Sequence, residues 1–155
     1  MERAAAYLCE VRVVGLPLDE QRHAAEHFDE LLREFTLLHL AGSGTGVPTR
    51  LIELRDALVD RFQSFTASTS DELVAAIERG DPTVDLIYLV PPEAGPAAQG
   101  LLDLMDEVDE FCHAGRHLLT LATPERSVRY RQWFLGEFVR QTAGEHPTSW
   151  AEHRG

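Results

Sequence analysis

The stretch VDLIYLVP, residues 84–91, decides the fold that the sequence predicts. It is almost continuously apolar, which is typical of a strand that is buried on both faces of a sheet. Residues 91–115, PPEAGPAAQGLLDLMDEVDEFCHAG, then have helical spacing. HLLTLATP, residues 117–124, predicts a second buried strand, and PERSVRYRQWFLGEFVRQ, residues 124–141, predicts a final helix. This β-α-β-α order favours parallel strands joined by a right-handed crossover.

The first half of the chain predicts one strand and three helices from alternation and from helical spacing of apolar residues. Their segments are YLCEVRVVGLP (7–17), LDEQRHAAEHFDELLREFTLL (18–38), TRLIELRDALVDRFQSF (49–65) and DELVAAIERG (71–80). Thr69 and Glu72 have the spacing of a capping box, which indicates that the last of these helices starts there. Gly80 is a good residue to end it.

We therefore predict an α/β fold with a small, mainly parallel three-stranded sheet, about five helices and a helix-rich first half. The 155 residues suffice for one domain with a sizeable core. Residues 1–141 are predicted to form this single globular domain. The polar residues 142–155 are predicted to form a loose C-terminal tail.

Composition narrows the class of protein. The net charge of −12 disfavours nucleic acid and anionic membranes as partners, because binding to phosphates requires clustered basic residues. No apolar run approaches the roughly 20 residues that span a bilayer, and the N-terminus lacks a clear signal core, so we predict a cytoplasmic protein. Cys9 and Cys112 lack CxxC spacing and are expected to be small buried hydrophobic residues.

Residues 23–27 read HAAEH, which has the letters of an inverted zinc-protease motif. One stripe beside the buried face of this helix carries His23, His27, Glu30 and Glu34. Glu26, which would act on a metal-bound water, lies off that stripe. Imidazole and carboxylate groups suit Zn²⁺ and related ions, so the stripe is a candidate divalent-metal site. The alternative is a solvated flank with side-chain pairs one turn apart.

The last helix predicts a surface for protein contact. On a helical wheel Trp133 points outward among Arg126, Arg129 and Arg140. Tryptophan and arginine are the residues that interface hot spots favour, and this is the one basic patch that the acidic sequence suggests. The alternative is that Trp133 packs under another element of the same chain, such as the tail that carries Trp150.

Two further features suggest a ligand cleft and an acidic helix face. In open α/β sheets ligands bind beyond the carboxyl ends of the strands. That edge would hold Pro91, Pro92, Glu93, Thr120, Thr123, Glu125 and Ser127. The acidic run LLDLMDEVDE, residues 101–110, is expected to be a solvated helix face that could attract an arginine-rich surface.

Several phrases, which together cover most of the chain, resemble a small family of actinobacterial proteins with no assigned activity. They are VVGLP, HAAEHFDELLREFTLL, VDLIYLVPPEA, DEVDEFCHAG, LLTLATP and RQWFLGEFVRQ. Members of that family tend to occur near regulators that pair a kinase-like anti-sigma factor with its antagonist and phosphatase. The resemblance implies a regulatory setting and no particular site.

A second, weaker likeness is to the kinase-like anti-sigma ATPase domains. GLPLDEQRHAAEHFDELLREF is similar to their opening strand, Leu-Pro and first helix. The chain departs from their magnesium helix, because Glu53 is followed four residues later by Ala57 instead of Asn. VPPEAGP also replaces their glycine-rich Asp motif, so the likeness does not imply ATP binding.

These features together predict a non-enzymatic cytosolic regulatory or adaptor domain, and the resemblance implies a setting in sigma-factor or stress signalling. It would act through contact with a protein partner or with itself, at Arg126, Arg129, Trp133 and Arg140. One alternative is a metal-binding protein or metal-dependent hydrolase that uses the His/Glu stripe. Another is a small-molecule sensor at the strand-end cleft. No cofactor is predicted.

Overall fold

A computed structural model describes residues 8–40, 46–114 and 123–154. In these ranges the chain forms two strands and five helices. The strands are β1 (Cys9–Pro17) and β2 (Thr83–Val90). The helices are α1 (Leu18–Leu40), α2 (Val47–Arg79), α3 (Ala94–Ala114), α4 (Glu125–Thr142) and α5 (Trp150–Arg154). The mixed α/β class and the helix-rich first half are therefore confirmed.

The sheet differs from the prediction, because β1 and β2 pair antiparallel. The register runs from Cys9 opposite Val90 to Pro17 opposite Thr83. The prediction of a mainly parallel, three-stranded sheet is wrong for the described residues, which form a two-stranded sheet. Two helices separate the strands, and the second helix returns the chain to the end of the sheet where β1 finishes. The predicted strand 117–124 lies outside the described residues except for its last two positions.

Only one face of β2 is buried. Leu86, Tyr88 and Val90 point into the core, whereas Ile87 and Leu89 are 53% and 51% exposed. The expectation that this apolar strand is covered on both faces is wrong. An antiparallel pair of strands can leave one face open when the helices pack on the other, and the alternating burial of β2 shows this arrangement.

Helix α2 runs unbroken through the predicted helix start at Thr69. The segment has no glycine or proline between Thr49 and Arg79 that would interrupt a helix. Thr69 is buried and its hydroxyl donates to the Ile87 carbonyl at 3.5 Å, so it holds α2 beside β2. Gly80 ends the helix as predicted, with a left-handed φ of 76°.

None of the helices in the described ranges is apolar enough over a sufficient length to cross a membrane. This holds even for α2, although it has 33 residues. The charged and polar residues spaced along α2 break its apolar stretches into short runs.

The buried side chains form two clusters. The first lies between the inner face of the sheet and α4, with contributions from α2, and includes Val11, Val13, Leu86, Tyr88, Tyr130, Trp133 and Phe138. The second joins α1, the start of α2 and the second half of α3, and includes Leu31, Phe35, Leu51, Met105, Val108 and Cys112. The apolar stripes predicted for α1 and α3 therefore face the core.

Helix α4 is fixed to the free edge of β1 by one amide side chain. The Gln141 oxygen accepts from the Arg12 backbone N–H at 2.9 Å, and its nitrogen donates to the Arg12 carbonyl at 2.8 Å. An edge strand presents unpaired backbone groups, and this amide pairs with two of them in place of a third strand.

Candidate functional site

Trp133 lies inside the protein. Its side chain is fully buried, and its indole N–H donates to the Thr148 carbonyl at 2.7 Å. Its ring meets the ring of Trp150 edge-on at a centroid distance of 5.5 Å. The predicted outward position is wrong, because residues of the C-terminal tail cover this side of α4. The alternative, that Trp133 packs under the tail, describes the structure.

A buried carboxylate holds the tail in place. Glu137 accepts the Thr148 backbone N–H at 3.0 Å and the Gln141 amide at 2.7 Å. Its second oxygen accepts from Arg140 at 2.6 Å. Buried carboxylates are tolerated when they are paired and hydrogen-bonded, as this one is. The segment around Thr148 is thus docked against α4, in contrast to the loose tail that the sequence predicts.

The three predicted interface arginines lie in different environments. Arg126 donates to Glu20 at 2.7 Å and to Asp19 at 3.0 Å, at the start of α1. The hydrogen bond from Arg126 lowers the pKa of Asp19. Arg140 turns back along α4 toward Glu137, whereas Arg129 is exposed. With Trp133 buried, the predicted four-residue surface does not form.

The predicted metal stripe is not assembled either. Its four members are His23, His27, Glu30 and Glu34. The Nε2 atom of His23 lies 3.9 Å from Asp19, and that of His27 lies 3.2 Å from the Thr123 hydroxyl. Within the described ranges no three side chains of the ligating types come together in a way that could hold a metal ion.

A cavity of about 290 Å³ lies between the two core clusters. Its walls come from helices α1, α2, α3 and α4 and from both strands of the sheet. Most of the wall is apolar and includes Leu16, Phe28, Leu73, Leu101, Met105 and Phe134. The cavity therefore offers a mostly apolar surface where the two core clusters do not meet.

One end of this cavity is polar, and Arg131 is its central residue. The side chain is only 8% exposed, and Nη2 donates to Asp109 at 2.7 Å and to Asp106 at 3.2 Å. The Nε and Nη1 groups of Arg131 are buried without a hydrogen-bond partner among the described residues. The hydroxyl of Ser127, 3% exposed, likewise has none in this part of the chain.

A short proton chain borders the same end. Thr123 donates its one hydroxyl hydrogen to Asp109 at 2.7 Å, so the contact with Nε2 of His27 requires that the histidine donates. Burial lowers the pKa of His27, which is therefore neutral near pH 7. Asp109 is already paired with Arg131, and His27 donates to Thr123 instead of taking its proton. Thr123 is therefore not activated as a nucleophile, because no base takes the proton from its hydroxyl. Thr123 does not cap α4, because the N-cap residue of that helix is Pro124.

A second cavity of about 390 Å³ adjoins the first. The two share a partition of Tyr88, Leu101, Phe134 and Leu135. Burial raises the pKa of Tyr88 to about 12 and also raises the pKa of Tyr130, so both phenols are neutral. Apart from the Arg131 ion pair, the interior lined by these residues is uncharged at neutral pH.

Sequence reasoning found only part of this site. Thr123 and Ser127, two members of the predicted strand-end cleft, line the cavity, whereas the cleft residues Pro91, Pro92, Glu93 and Glu125 do not. Thr120 lies outside the described residues. Arg131 was missed, although it shares the wheel side of Leu135 and Phe138. The acidic run did attract arginines, but they are Arg131 and Arg50 of the same chain.

Comparisons with known proteins add no relative. No protein-family model matches the chain, and neither the curated proteins nor the solved structures include a significant match.

Proposed function

We propose that the chain is a non-enzymatic regulatory domain that binds a small, mostly apolar molecule in the cavity at Arg131. The observation that carries this proposal is the combination of an apolar wall with two lining residues, Arg131 and Ser127, whose buried donors are unpaired among the described residues. Ligand sites are typically concave and largely apolar, with a few polar groups that orient the ligand. This proposal keeps the sensor role that the strand-end residues suggested and moves the site inward.

The unpaired donors supply a physical reason for binding. A buried donor without a partner costs about 1–3 kcal/mol, and more when the group is charged. Arg131 has two such donors and Ser127 has one hydroxyl. A ligand that brings acceptors to these atoms would recover that free energy in addition to the gain from burying its apolar surface.

The cavity wall also touches the docked tail. The Tyr130 ring lines the cavity and lies 6.2 Å from the Trp150 ring and 6.1 Å from the Trp133 ring, measured between centroids. A ligand that packs against Tyr130 would therefore contact the ring on which Trp150 of the tail packs. Under this proposal a protein partner responds to the state of the tail, which retains the regulatory, protein-contacting role expected from the sequence.

Binding of a neutral apolar fluorophore, such as N-phenylnaphthylamine, tests the proposal. We expect saturable binding with one site per chain, a change in the emission of the two tryptophans and a higher unfolding temperature, because a ligand that binds only the folded state stabilises it. The variant Ala24→Phe places an aromatic ring in the cavity wall and should abolish binding.

Ala57→Phe is the matched control, because Ala57 is exposed on α2 and takes no part in the cavity. It should bind the fluorophore as the parent protein does. Equal binding by the Ala24→Phe variant, with its fold intact by circular dichroism, would contradict the proposed site. Complete absence of saturable binding by the parent protein would contradict the function itself.

A further inference from the structure

We infer that the ligand of this cavity carries a neutral oxygen acceptor at one end of an apolar body, as a ketone, an ester or an amide does. This inference rests on the proposed function and specifies the chemical class of the ligand. It follows from the hydrogen-bonding capacity and from the charge of the polar end, which are separate observations.

The hydrogen-bonding capacity requires an acceptor. The unpartnered groups of Arg131 are both N–H donors, since a guanidinium has no acceptor atom. The Ser127 hydroxyl can donate as well. Thr123 has already given its hydrogen to Asp109, and His27 directs its Nε2 hydrogen toward Thr123. A ligand atom at this end must therefore accept hydrogen bonds.

The charge balance disfavours an anionic acceptor. The Arg131 charge is already neutralised by Asp109, whose side chain is 19% exposed, and by Asp106, whose side chain is 69% exposed. His27 adds no positive charge, because burial lowers its pKa and keeps it neutral. A carboxylate ligand would be repelled by the two aspartates and would lose its hydration. A carbonyl oxygen meets the same donors without that penalty.

A cationic head group is disfavoured for a different reason. An ammonium group has donors only and would stand against the unpaired N–H groups of Arg131. Both oxygens of Asp109 are engaged, by Arg131 and Thr123, and the Asp106 side chain is 69% exposed and does not line the cavity. The neutral acceptor is thus the one head group that satisfies both the donors and the charge.

A chain-matched series of probes tests the inference: methyl heptyl ketone, nonanoate and nonylamine, each displacing N-phenylnaphthylamine near neutral pH. We expect the ketone to bind at least about tenfold more tightly than either ion, since one hydrogen bond to a charged donor is sufficient for such a difference. Arg131→Met should remove this preference, whereas Arg129→Met, on the exposed side of the same helix, should retain it.

Ser127→Ala keeps the inference testable if Arg131→Met does not fold, because it deletes one small hydroxyl. It should weaken ketone binding by about threefold or more and leave the fluorophore affinity unchanged. Tighter or equal binding of nonanoate or nonylamine would overturn the inferred head group while leaving the proposed cavity function in place. If neither the fluorophore nor any member of the series binds, the proposed function itself fails.

Discussion

Tyr88 and Tyr130 give the core a distinct response to alkaline pH. Burial raises the pKa of Tyr88 to about 12 and also raises that of Tyr130, whereas an unfolded tyrosine titrates at about 10. Because the folded pKa is the higher one, the stabilising contribution is fully present below pH ~10 and is lost as pH rises through the folded pKa. We expect the free energy of unfolding to fall by about 1.4 kcal/mol per pH unit for each such tyrosine.

Urea unfolding between pH ~9 and ~12, with phenolate absorbance recorded in parallel, measures this effect. Tyr88→Phe should reduce the slope, because it removes one of the two buried phenols. A native protein in which every tyrosine ionises near pH ~10, with no loss of stability above it, would show that these rings are not buried as described.

The positions of Trp133 and Arg131 on α4 differ from those that the sequence analysis assigned or considered. A helical wheel assumes one buried face, which would leave Trp133 outside and Arg131 inside. Helix α4 is instead covered by the sheet, by α1 and α3 and by the tail, so buried residues occur on most of its circumference. The helical wheel could have placed Arg131 on the buried side of α4. The burial of Trp133, in contrast, depends on the tail, whose polar sequence has little apolar patterning.

The close approach of α3 to α4 depends on Gly95. A Cβ placed there would overlap the Thr142 hydroxyl oxygen and would lie 3.3 Å from the Thr142 Cβ. That hydroxyl also donates to the Phe138 carbonyl at 2.7 Å, so it cannot rotate away without losing the bond. We expect Gly95→Ala to lower the free energy of unfolding by about 1–3 kcal/mol, as overpacked sites do.

Gly100 supplies the matched control in the same helix. A Cβ at Gly100 meets nothing within 4 Å among the described residues. Gly100→Ala should therefore raise the free energy of unfolding by up to about 1 kcal/mol, because alanine loses less backbone entropy in a helix. Urea midpoints of the two variants should move in opposite directions. Equal shifts would mean that α3 and α4 do not touch at Gly95.

Local patterns predicted most of the helices and strands but not how they connect. Strand β1, helix α1 and the end of α2 at Gly80 follow from alternation, helical spacing and a glycine stop. The direction of β2 was mispredicted because it depends on how many helices return the chain between the strands. The break predicted at Thr69 failed because a capping-box spacing also occurs inside a helix when tertiary contacts hold the hydroxyl.

The arrangement of the whole molecule explains why the cavity could not be predicted. Each helix has an apolar face that would suit a single continuous core, but the structure has two clusters with a gap between them. The gap depends on how the helices and the sheet are placed relative to one another, and no local pattern encodes that. The net charge of the chain is −12, and some of its acidic groups form ion pairs within the chain, as Asp109 of the acidic helix does with Arg131.

Met105 makes the cavity accessible to one direct measurement. The chain has two methionines, of which Met105 lines the cavity and Met1 lies outside the described residues. In protein labelled with ¹³C at the methionine methyl groups and saturated with methyl heptyl ketone, we predict nuclear Overhauser effects between the ligand and the Met105 methyl. Met105→Leu assigns that signal.

A ligand that saturates the protein without any effect at the Met105 methyl would contradict the cavity as the binding site.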